Sequence, residues 1–420
     1  MFALIDCNNF YASCERLFQP KLRNLPVVIL SNNDGCVISR SNEAKKLGIP
    51  MGAPAFEFAH IFEKENIQVF SSNYALYGDI SSRVMATLST FCPDMEVYSI
   101  DEAFLKFEGY DKHFNLSEIG KQIRYKVTRD TGIPVSVGFA PNKSLAKVAN
   151  KIAKKFPDKT GNVYCINSDE KRIKALQWLS VGDVWGIGAQ HAKQLKKLNV
   201  NTAYDFTLLE DAWVKKNMSI VGLRLLHELK GNVCLDLEMP ANKQNIATTR
   251  SFEKNYTTFD MIRERVVTFA VTCAEKLRRQ QSCANTLMVF IHTNRFRPDL
   301  PQYSRNFVME LPYPTNSNIE LCKFATFALE KIYRNGFAYK KAGVIVMNIT
   351  PVMEQQIHLF GNSNSRHKKL MEAVDGINKD IGHIKVKLAA QDLNCTWKMK
   401  QEKLSPRYST RISEAIKVKA

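Results

Sequence analysis

YSIDEAFL, residues 98–105, decides the fold, because it places two adjacent carboxylates, Asp101 and Glu102, between apolar strand-forming residues. Adjacent acids repel each other, and strands disfavour both residue types. The pair is therefore predicted to lie in a turn and to bind a cation.

The sequence around this pair predicts a ferredoxin-like split β-α-β-β-α-β unit. Its predicted elements are strand 2–5, helix 74–91, strands 96–100 and 103–107, helix 116–130 and strand 134–140. A strand–helix–strand crossover makes the first two strands parallel, so their C-terminal ends lie at the same edge of the sheet. Asp6 follows the first of these strands, and Asp101 and Glu102 follow the second. We therefore expect the three carboxylates to converge.

Three carboxylates with no basic residue close by in sequence suit a hard divalent cation. Mg²⁺ prefers oxygen ligands, and two such ions form a clamp for phosphoryl or nucleotidyl transfer. The alternative is that Asp6, Asp101 and Glu102 only cap strand ends at the surface. Their predicted meeting at one sheet edge, in a basic protein, favours the metal site.

Length and charge narrow the class of protein. A chain of 420 residues is expected to hold roughly two to four domains. Its 59 basic and 41 acidic side chains give a net charge of +18. An excess of this size favours a polyanionic partner such as nucleic acid, with a solvated lysine-rich surface as the alternative.

Cysteine spacing, apolar runs and the N-terminus exclude other classes. None of the ten cysteines forms a CxxC pair, so a zinc site is not expected. The longest apolar runs, such as VVIL at 27–30, are too short to cross a bilayer. MFALIDCNNFY lacks the basic and apolar regions of a signal peptide. A cytoplasmic chain with free thiols and no membrane partner is predicted.

Four motifs resemble those of the Y-family translesion DNA polymerases. They are DCNNFYASCE (6–15), SNNDGCVISRSNEAKKLGI (31–49), YSIDEAFL (98–105) and GFAPNKSLAKVANKIAK (138–154). The resemblance spans essentially the whole chain. Further segments are similar to the UmuC type, the catalytic subunit of bacterial DNA polymerase V: SNNDGCVI (31–38), FSSNYALYGD (70–79), VWGIG (184–188) and LSPRYSTR (404–411).

The resemblance implies an α+β multidomain fold with the right-hand architecture of polymerases. Its parts would be a split βαββαβ palm at 1–10 and 74–168, small fingers at 11–73, a helical thumb with a helix-hairpin-helix at 169–237, a linker at 238–247, an α/β little finger at 248–350 and a partner-binding tail at 351–420.

The resemblance also implies roles for residues near the acids. Asp6, Asp101 and Glu102 would be the catalytic ligands of two Mg²⁺ ions. Tyr11 matches the family's steric gate, an aromatic ring that clashes with the 2′-OH of a ribonucleotide. Phe10 matches its neighbour in the nucleotide pocket. For both aromatic residues the alternative is ordinary core packing.

Two lysines match family positions that contact the incoming dNTP. Lys154 matches a lysine that binds the triphosphate. Lys45 stands in Asn42-Glu43-Ala44-Lys45, where many members read Tyr-Glu-Ala-Arg. Lys45 can therefore neutralise a phosphate, but it cannot make the paired hydrogen bonds that an arginine guanidinium makes. Asn42 lacks the aromatic hydroxyl group that a tyrosine would provide at this position.

Contacts with primer-template DNA are expected in two further regions. In the thumb, Gly186 and Gly188 would let backbone N–H groups approach a phosphate, while Lys193 supplies charge. A Gly-x-Gly pair is also typical of ordinary helix turns. Arg250 lies where little fingers follow the template backbone, and a plain surface arginine is the alternative.

The tail carries a segment predicted to bind a partner. Gln356, Leu359 and Phe360 belong to QIHLF (356–360), which resembles the bacterial sliding-clamp binding pentapeptide. Exposed apolar pairs in polar stretches often dock partners. UmuC-type proteins resemble one another in needing a UmuD-type dimer and a RecA filament, so both are expected partners.

The implied function is error-prone, template-directed DNA synthesis in translesion synthesis and SOS DNA repair, at the nucleoid of a bacterium. Two other classes remain. A catalytically inactive scaffold could bind primer ends and recruit repair partners, although the presence of all three acids argues against it. A nucleotidyl cyclase could share the palm topology but would need no thumb, linker or basic tail.

Overall fold

The structure, a computed structural model, describes residues 1–354, 364–381, 385–393 and 399–416. The chain divides into two compact units. Unit 1 comprises Met1–Met239 together with Gln401–Ala420, and unit 2 comprises Pro240–Lys400. No helix of the described ranges combines the length and the apolar composition needed to span a bilayer.

Unit 1 is built around a mixed sheet. Its strands are β1 (Phe2–Cys7), β2 (Val27–Leu30), β3 (Val37–Arg40), β4 (Gln68–Ser71), β5 (Met95–Val97), β6 (Glu102–Lys106), β7 (Val135–Ala140) and β8 (Val163–Cys165). Five of them form a sheet in the order β5-β6-β1-β7-β8, in which β1 is antiparallel to β6 and β7. The order β5-β6-β1-β7 is that of a ferredoxin-like split unit, which confirms the predicted fold.

Helices cover both faces of this sheet. The helices of unit 1 are α1 (Phe10–Phe18), α2 (Asn42–Lys46), α3 (Ala59–Lys64), α4 (Tyr74–Leu88), α5 (Leu116–Thr131), α6 (Lys143–Lys155), α7 (Pro157–Thr160), α8 (Asp169–Trp178), α9 (Ala189–Lys197), α10 (Ala203–Thr207) and α11 (Asp211–Leu229). On β1, Ile5 packs with residues of α4 and α5, whereas Leu4 packs with residues of α6. Because successive strand residues alternate between faces, Asp6 lies on the α6 face.

The acidic pair lies in and beside a turn, as predicted. The backbone N–H groups of Tyr98 and Ser99 both donate to the carbonyl oxygen of Glu102, at 3.0 and 3.1 Å. β5 therefore ends at Val97 and β6 begins at Glu102. The predicted strand 96–100 is too long at its C-terminal end, because this turn occupies residues 98–101.

The segment between α1 and α4 forms a smaller sheet in the order β3-β2-β4. β2 is antiparallel to β3 and parallel to β4. Its core includes Val28, Ile49 and Phe62. Ser41 begins α2 by accepting the backbone N–H of Ala44 at 3.3 Å. Its Oγ also accepts the backbone N–H of Val27 in β2 at 3.1 Å, so the sheet fixes where α2 starts.

α6 lies unusually close to the central strands. A Cβ atom on Gly138 of β7 would stand 2.2 Å from the backbone nitrogen of Asn150 and 2.6 Å from the carbonyl oxygen of Ala146. The Asn150 side chain is buried and donates to the carbonyl oxygens of Leu4 and Ser136, at 3.1 and 2.8 Å. Close packing and these two hydrogen bonds fix the position of α6 relative to β1.

Unit 2 is an antiparallel sheet with helices. Its elements are β9 (Ile246–Tyr256), α12 (Phe259–Arg279), β10 (Ser282–Thr293), β11 (Ser304–Thr315), α13 (Asn318–Ile332), β12 (Tyr339–Pro351) and α14 (Ser365–Ile381). The strand order is β11-β10-β12-β9, and α12 and α13 share the core with the sheet. α14 is held by Asp375, which accepts two hydrogen bonds of 2.7 Å from Arg278 of α12.

Gly138→Ala is expected to lower the free energy of unfolding by about 2 kcal/mol, since backbone atoms cannot yield to the added methyl group. Urea unfolding followed by circular dichroism measures the change. Gly78→Ala is the matched control, because no atom lies within 4 Å of its built Cβ in α4. That variant is expected to gain about 0.5 kcal/mol. Equal stabilities of the two variants would contradict the close approach of α6.

Candidate active site

Asp6 and Glu102 are direct partners in the register of β1 and β6, so both side chains leave the α6 face at the same level. The backbone N–H of Cys7 donates to the carbonyl oxygen of Asp101 at 2.9 Å, which ties the turn to the end of β1. Ser99 Oγ donates to Asp101 Oδ1 at 2.6 Å and holds that carboxylate. The three predicted acids therefore lie at the same edge of the sheet, with Asp6 directly opposite Glu102.

Two lysines of α6 reach these acids. Lys154 Nζ lies 2.5 Å from Asp6 Oδ1, and Lys147 Nζ lies 2.7 Å from Glu102 Oε1. The lysines are seven residues apart, which places them on one face of the helix. Lys147 Nζ also lies 4.4 Å from the centre of the Tyr98 ring. Each of these two carboxylates thus has an ammonium group as its counter-ion.

Burial and the repulsion between neighbouring carboxylates disfavour the charged form of Asp6. Burial raises the pKa of Asp6 to about 7; Lys154 opposes this rise, whereas the Glu102 and Asp101 carboxylates add to it. A divalent cation would relieve the same repulsion, and carboxylate oxygens are suitable donors for it. As placed, the described residues contain no three His, Cys, Asp or Glu side chains grouped closely enough to hold a metal ion. A cation would therefore need these side chains to move closer together, and it would compete with Lys147 and Lys154 for Glu102 and Asp6.

Tyr11 stands near the start of α1, two residues after Asn9, whose φ of 50° lies in the left-handed region. The Tyr11 ring stacks on Tyr77, with ring centres 4.5 Å apart and planes 17° from parallel. It meets Tyr74 edge-on at 6.0 Å. Burial, with a contribution from Tyr74, raises the pKa of Tyr11 to about 12. Phe10 is 3% exposed, which favours the core-packing alternative for that residue.

Positive charges gather beside Asn9. Lys45 Nζ donates to Asn9 Oδ1 at 2.6 Å, and Asn9 Nδ2 donates to Asn42 Oδ1 at 3.0 Å. Desolvation, followed by the charges of Arg40 and Lys154, lowers the pKa of Lys45. Two cations that act electrostatically on a third, Lys45, favour an anionic ligand beside it.

The predicted thumb residues lie on and just before a single helix, α9. Gly186 has a φ of 93°, a conformation that favours glycine. Gly188 immediately precedes α9, and Lys193 is exposed on that helix. The first N–H groups of a helix have no partner within the helix and can receive a phosphate.

The other predicted contacts belong to unit 2. Arg250 is exposed on β9, an edge strand of its sheet, and its guanidinium donates to the carbonyl oxygen of Thr249 at 2.9 Å. Gln356, Leu359 and Phe360 lie outside the described residues.

Sequence reasoning missed Asn9, Arg40 and Lys147. The spacing of Lys147 and Lys154 was a usable signal, because residues seven apart in a helix share a face. Asn9 directly precedes a helix, and asparagine tolerates the left-handed conformation. No pattern in the sequence indicates that Arg40 lies near Lys45.

Two family models match large parts of the chain. The impB/mucB/samB family matches residues 5–151, and the impB/mucB/samB family C-terminal domain matches residues 243–359. A domain of unknown function matches residues 368–418.

Several curated proteins are similar over nearly their whole length. The chain is 40% identical to Protein UmuC of Salmonella typhimurium over 100% of both proteins. It is 41% identical to Protein ImpB of Salmonella typhimurium over 98% of both. It is 26% identical to a DNA polymerase IV of Desulfatibacillum aliphaticivorans over 92% of this chain and 95% of that protein.

Solved structures share the fold. A Dbh-based Y-family DNA polymerase chimera matches with a TM-score of 0.66 and 21% identity, over 84% of this chain and 100% of the other. An insertion ternary complex of Dbh DNA polymerase matches with a TM-score of 0.54 over the same shares. At this identity the likeness establishes the fold alone.

Lys147→Gln is expected to strengthen divalent-cation binding by about fivefold, because one competing ammonium group leaves Glu102, and an interaction of about 1 kcal/mol corresponds to that factor. The measurement is the rise in melting temperature as Mg²⁺ is titrated, relative to each variant without metal. Lys151→Gln is the matched control, since Lys151 lies on α6 but pairs with Asp183 at 3.1 Å. An identical Mg²⁺ response in both variants would rule out competition by Lys147.

Proposed function

We propose, since the chain belongs to the impB/mucB/samB family of Y-family DNA polymerases, that Asp6, Asp101 and Glu102 form its nucleotidyl-transfer centre. The protein is an error-prone, DNA-directed DNA polymerase of the UmuC kind that acts in translesion synthesis and DNA repair. The observation that supports this site best is the register pairing of Asp6 with Glu102, with Asp101 tied to the end of β1.

Polymerases of this family need divalent metal, and we propose two Mg²⁺ ions here. Bound to the three acids, they would activate the primer 3′-OH and neutralise the charge of the triphosphate and the leaving pyrophosphate. The chain's own lysines have a complementary part. Lys147 and Lys154 keep Glu102 and Asp6 neutralised in the free protein. Released from Asp6, Lys154 is free to pair with an incoming triphosphate.

The dNTP pocket is proposed to lie between the acids and the cluster of Arg40, Lys45 and Lys154. The positive charges of Arg40 and Lys154 both act on Lys45, and this gathering of cations supports a polyanionic ligand there. Tyr11 would lie under the sugar and exclude a 2′-OH by steric conflict. Its stacking on Tyr77 supports this role, because a ring held on one face resists being pushed aside.

We further propose contacts outside this pocket. The glycines before α9 and Lys193 would hold primer-template phosphates, and Arg250 would follow the template backbone from an exposed edge strand. The sequence of 356–360 supports a sliding clamp as partner. A UmuD-type dimer and a RecA filament are proposed partners in the SOS response, in the cytoplasm at the nucleoid.

Asp101→Asn is expected to reduce primer extension by at least about a thousandfold, since losing one metal-binding charge removes several kcal/mol of transition-state stabilisation. Extension of a labelled primer on an undamaged template and on a lesion template measures the loss. Glu108→Gln is the control, because it makes the same kind of change at an exposed carboxylate further along the chain. Unchanged extension by the Asp101 variant would refute the proposed centre and favour a non-catalytic, primer-binding role.

Tyr11→Ala is expected to lower the preference for dNTPs over ribonucleotides by about tenfold or more, because the ring no longer meets the 2′-OH. Single-nucleotide insertion with each substrate gives kcat/KM for both. Tyr74→Ala removes a neighbouring ring that touches Tyr11 only edge-on, and is expected to have the smaller effect. A Tyr11 variant with intact sugar preference would remove Tyr11 as the gate.

A further inference from the structure

The last described residues of the chain, 401–416, pack on unit 1 although residues 240–400 form unit 2. We call them the C-terminal strap. Ser71 of β4 and Lys403 exchange two hydrogen bonds: Ser71 N donates to the Lys403 carbonyl oxygen at 2.9 Å, and Lys403 N donates to Ser71 Oγ at 3.0 Å. The Gln401 side chain donates to the carbonyl oxygen of Ser72 at 3.0 Å. The strap thus runs beside the end of β4, directly before α4.

Ser405 is the point at which the strap enters the core of unit 1. It is 5% exposed. Asn73 Nδ2 donates to both the carbonyl oxygen and Oγ of Ser405, at 3.0 Å each. Asn73 Oδ1 meanwhile accepts the backbone N–H of Leu76 at 3.3 Å and so caps α4. The residue that begins α4 therefore also orients the Ser405 hydroxyl.

The hydroxyl group of Ser405 is a hydrogen-bond donor to the buried carboxylate of Glu15. Ser405 Oγ donates to Glu15 Oε1 at 2.9 Å, and the Tyr77 hydroxyl donates to the same oxygen at 2.6 Å. Glu15 is fully buried, and its Oε2 has no hydrogen-bond partner among the described residues. Burial raises the pKa of Glu15, and the two hydroxyl donors oppose that rise. A buried carboxylate with so few donors depends strongly on each one.

Tyr77 links the buried Glu15 to Tyr11 in the proposed nucleotide pocket. Its ring is fully buried, and one of its faces stacks on Tyr11 at 4.5 Å. The Tyr77 hydroxyl, at the far end of that ring, is the atom bonded to Glu15. The position of the Tyr77 ring therefore depends on Glu15, and the Tyr11 ring rests on it.

We propose that Ser405 of the C-terminal strap is a positioning residue for sugar selection, acting through Glu15 and Tyr77 on the ring of Tyr11. The inference rests on the proposed role of Tyr11 as the gate. It assigns to part of the matched domain of unknown function a task inside the polymerase unit. Without the Ser405 hydroxyl, Glu15 has one donor fewer, Tyr77 is less firmly held, and Tyr11 yields more readily to a 2′-OH.

The test compares kcat/KM for a complementary dNTP with kcat/KM for the matching ribonucleotide in the full-length protein. Ser405→Ala and Tyr77→Phe are each expected to lower this ratio by about fivefold, the factor that corresponds to one lost hydrogen bond. Ser409→Ala is the matched control, since the buried Ser409 Oγ of the same strap has no hydrogen-bond partner among the described residues. The ratio of Ser409→Ala is expected to equal that of the unmodified protein. Ser405→Thr, which keeps the hydroxyl group, is expected to retain that ratio as well.

A purely structural role predicts a different result, in which dNTP and ribonucleotide insertion fall together and the ratio is constant. That outcome in both Ser405→Ala and Tyr77→Phe would overturn the inference. So would an equal change in Ser409→Ala.

Combination with Tyr11→Ala separates this inference from the proposal beneath it. With the gate ring removed, Ser405→Ala is expected to change the ratio no further, because the hydroxyl acts only through that ring. An additional fall of the same size in the double variant would overturn the relay through Tyr11. If Tyr11→Ala alone leaves the ratio unchanged, Tyr11 is not the steric gate. If Tyr11→Ala lowers the ratio but Ser405→Ala and Tyr77→Phe do not, Tyr11 remains the gate and only the role of Ser405 is refuted.

Discussion

The carboxylates of Asp6 and Glu102 face each other across adjacent antiparallel strands, and both are largely withdrawn from water. Two like charges in such surroundings repel strongly, because the effective dielectric constant is far below that of water. The fold opposes this repulsion with Lys147 and Lys154 from a single helix. Much of unit 1 therefore depends on α6 being held at the correct distance and rotation above the sheet.

Several features of the central sheet achieve that placement. Gly138 leaves room for the α6 backbone, and Asn150 bonds from the helix to two strands at once. The same helix face then presents lysines at the sheet edge where the acids lie. The distance from the acids to the aromatic pocket is set just as tightly. Only residues 8 and 9 separate β1 from α1, and Asn9 makes the turn in a left-handed conformation. Tyr11 can therefore not move far from Asp6 without unfolding the start of α1.

Sequence patterns predict the features of the site that depend on the order of the strands. They do not predict side-chain contacts that depend on how a helix is rotated, or strand ends that are set by hydrogen bonds in a turn. The approach of Asp6 to the Asp101-Glu102 turn follows from the order of strands and helices, and the register pairs Asp6 with Glu102. The pairing of Lys147 with Glu102 was not predicted, because it depends on how α6 is rotated over the sheet. Strand ends near residue 98 were misplaced because hydrogen bonding in the turn, rather than side-chain pattern, ends β5.

The strap was beyond prediction for a related reason. LSPRYSTR (404–411) has no helical or strand periodicity. The order of the strap comes from hydrogen bonds of Lys403 to Ser71 and of Ser405 to Asn73 and Glu15, and from Tyr408 stacked on Phe18 at 4.8 Å. A segment with so few apolar residues cannot bury enough surface to fold alone. It becomes ordered only on a surface that offers partners.

The region matched by the domain of unknown function, residues 368–418, contains segments that belong to different units. Most of α14 lies in it and joins unit 2 through Asp375 and the buried Met371, whereas the strap joins unit 1. Neither has a separate hydrophobic cluster among the described residues: Tyr408 of the strap packs against the core of unit 1, and the Arg278–Asp375 ion pair ties α14 to unit 2. The described parts of this region therefore do not form one domain: α14 belongs to unit 2 and the strap belongs to unit 1. Because the strap supplies a donor to a carboxylate that lies in the core of unit 1, the order of that core depends on residues that follow the whole of unit 2 in the chain. Unit 1 is therefore complete only when residues 401–416 are packed on it.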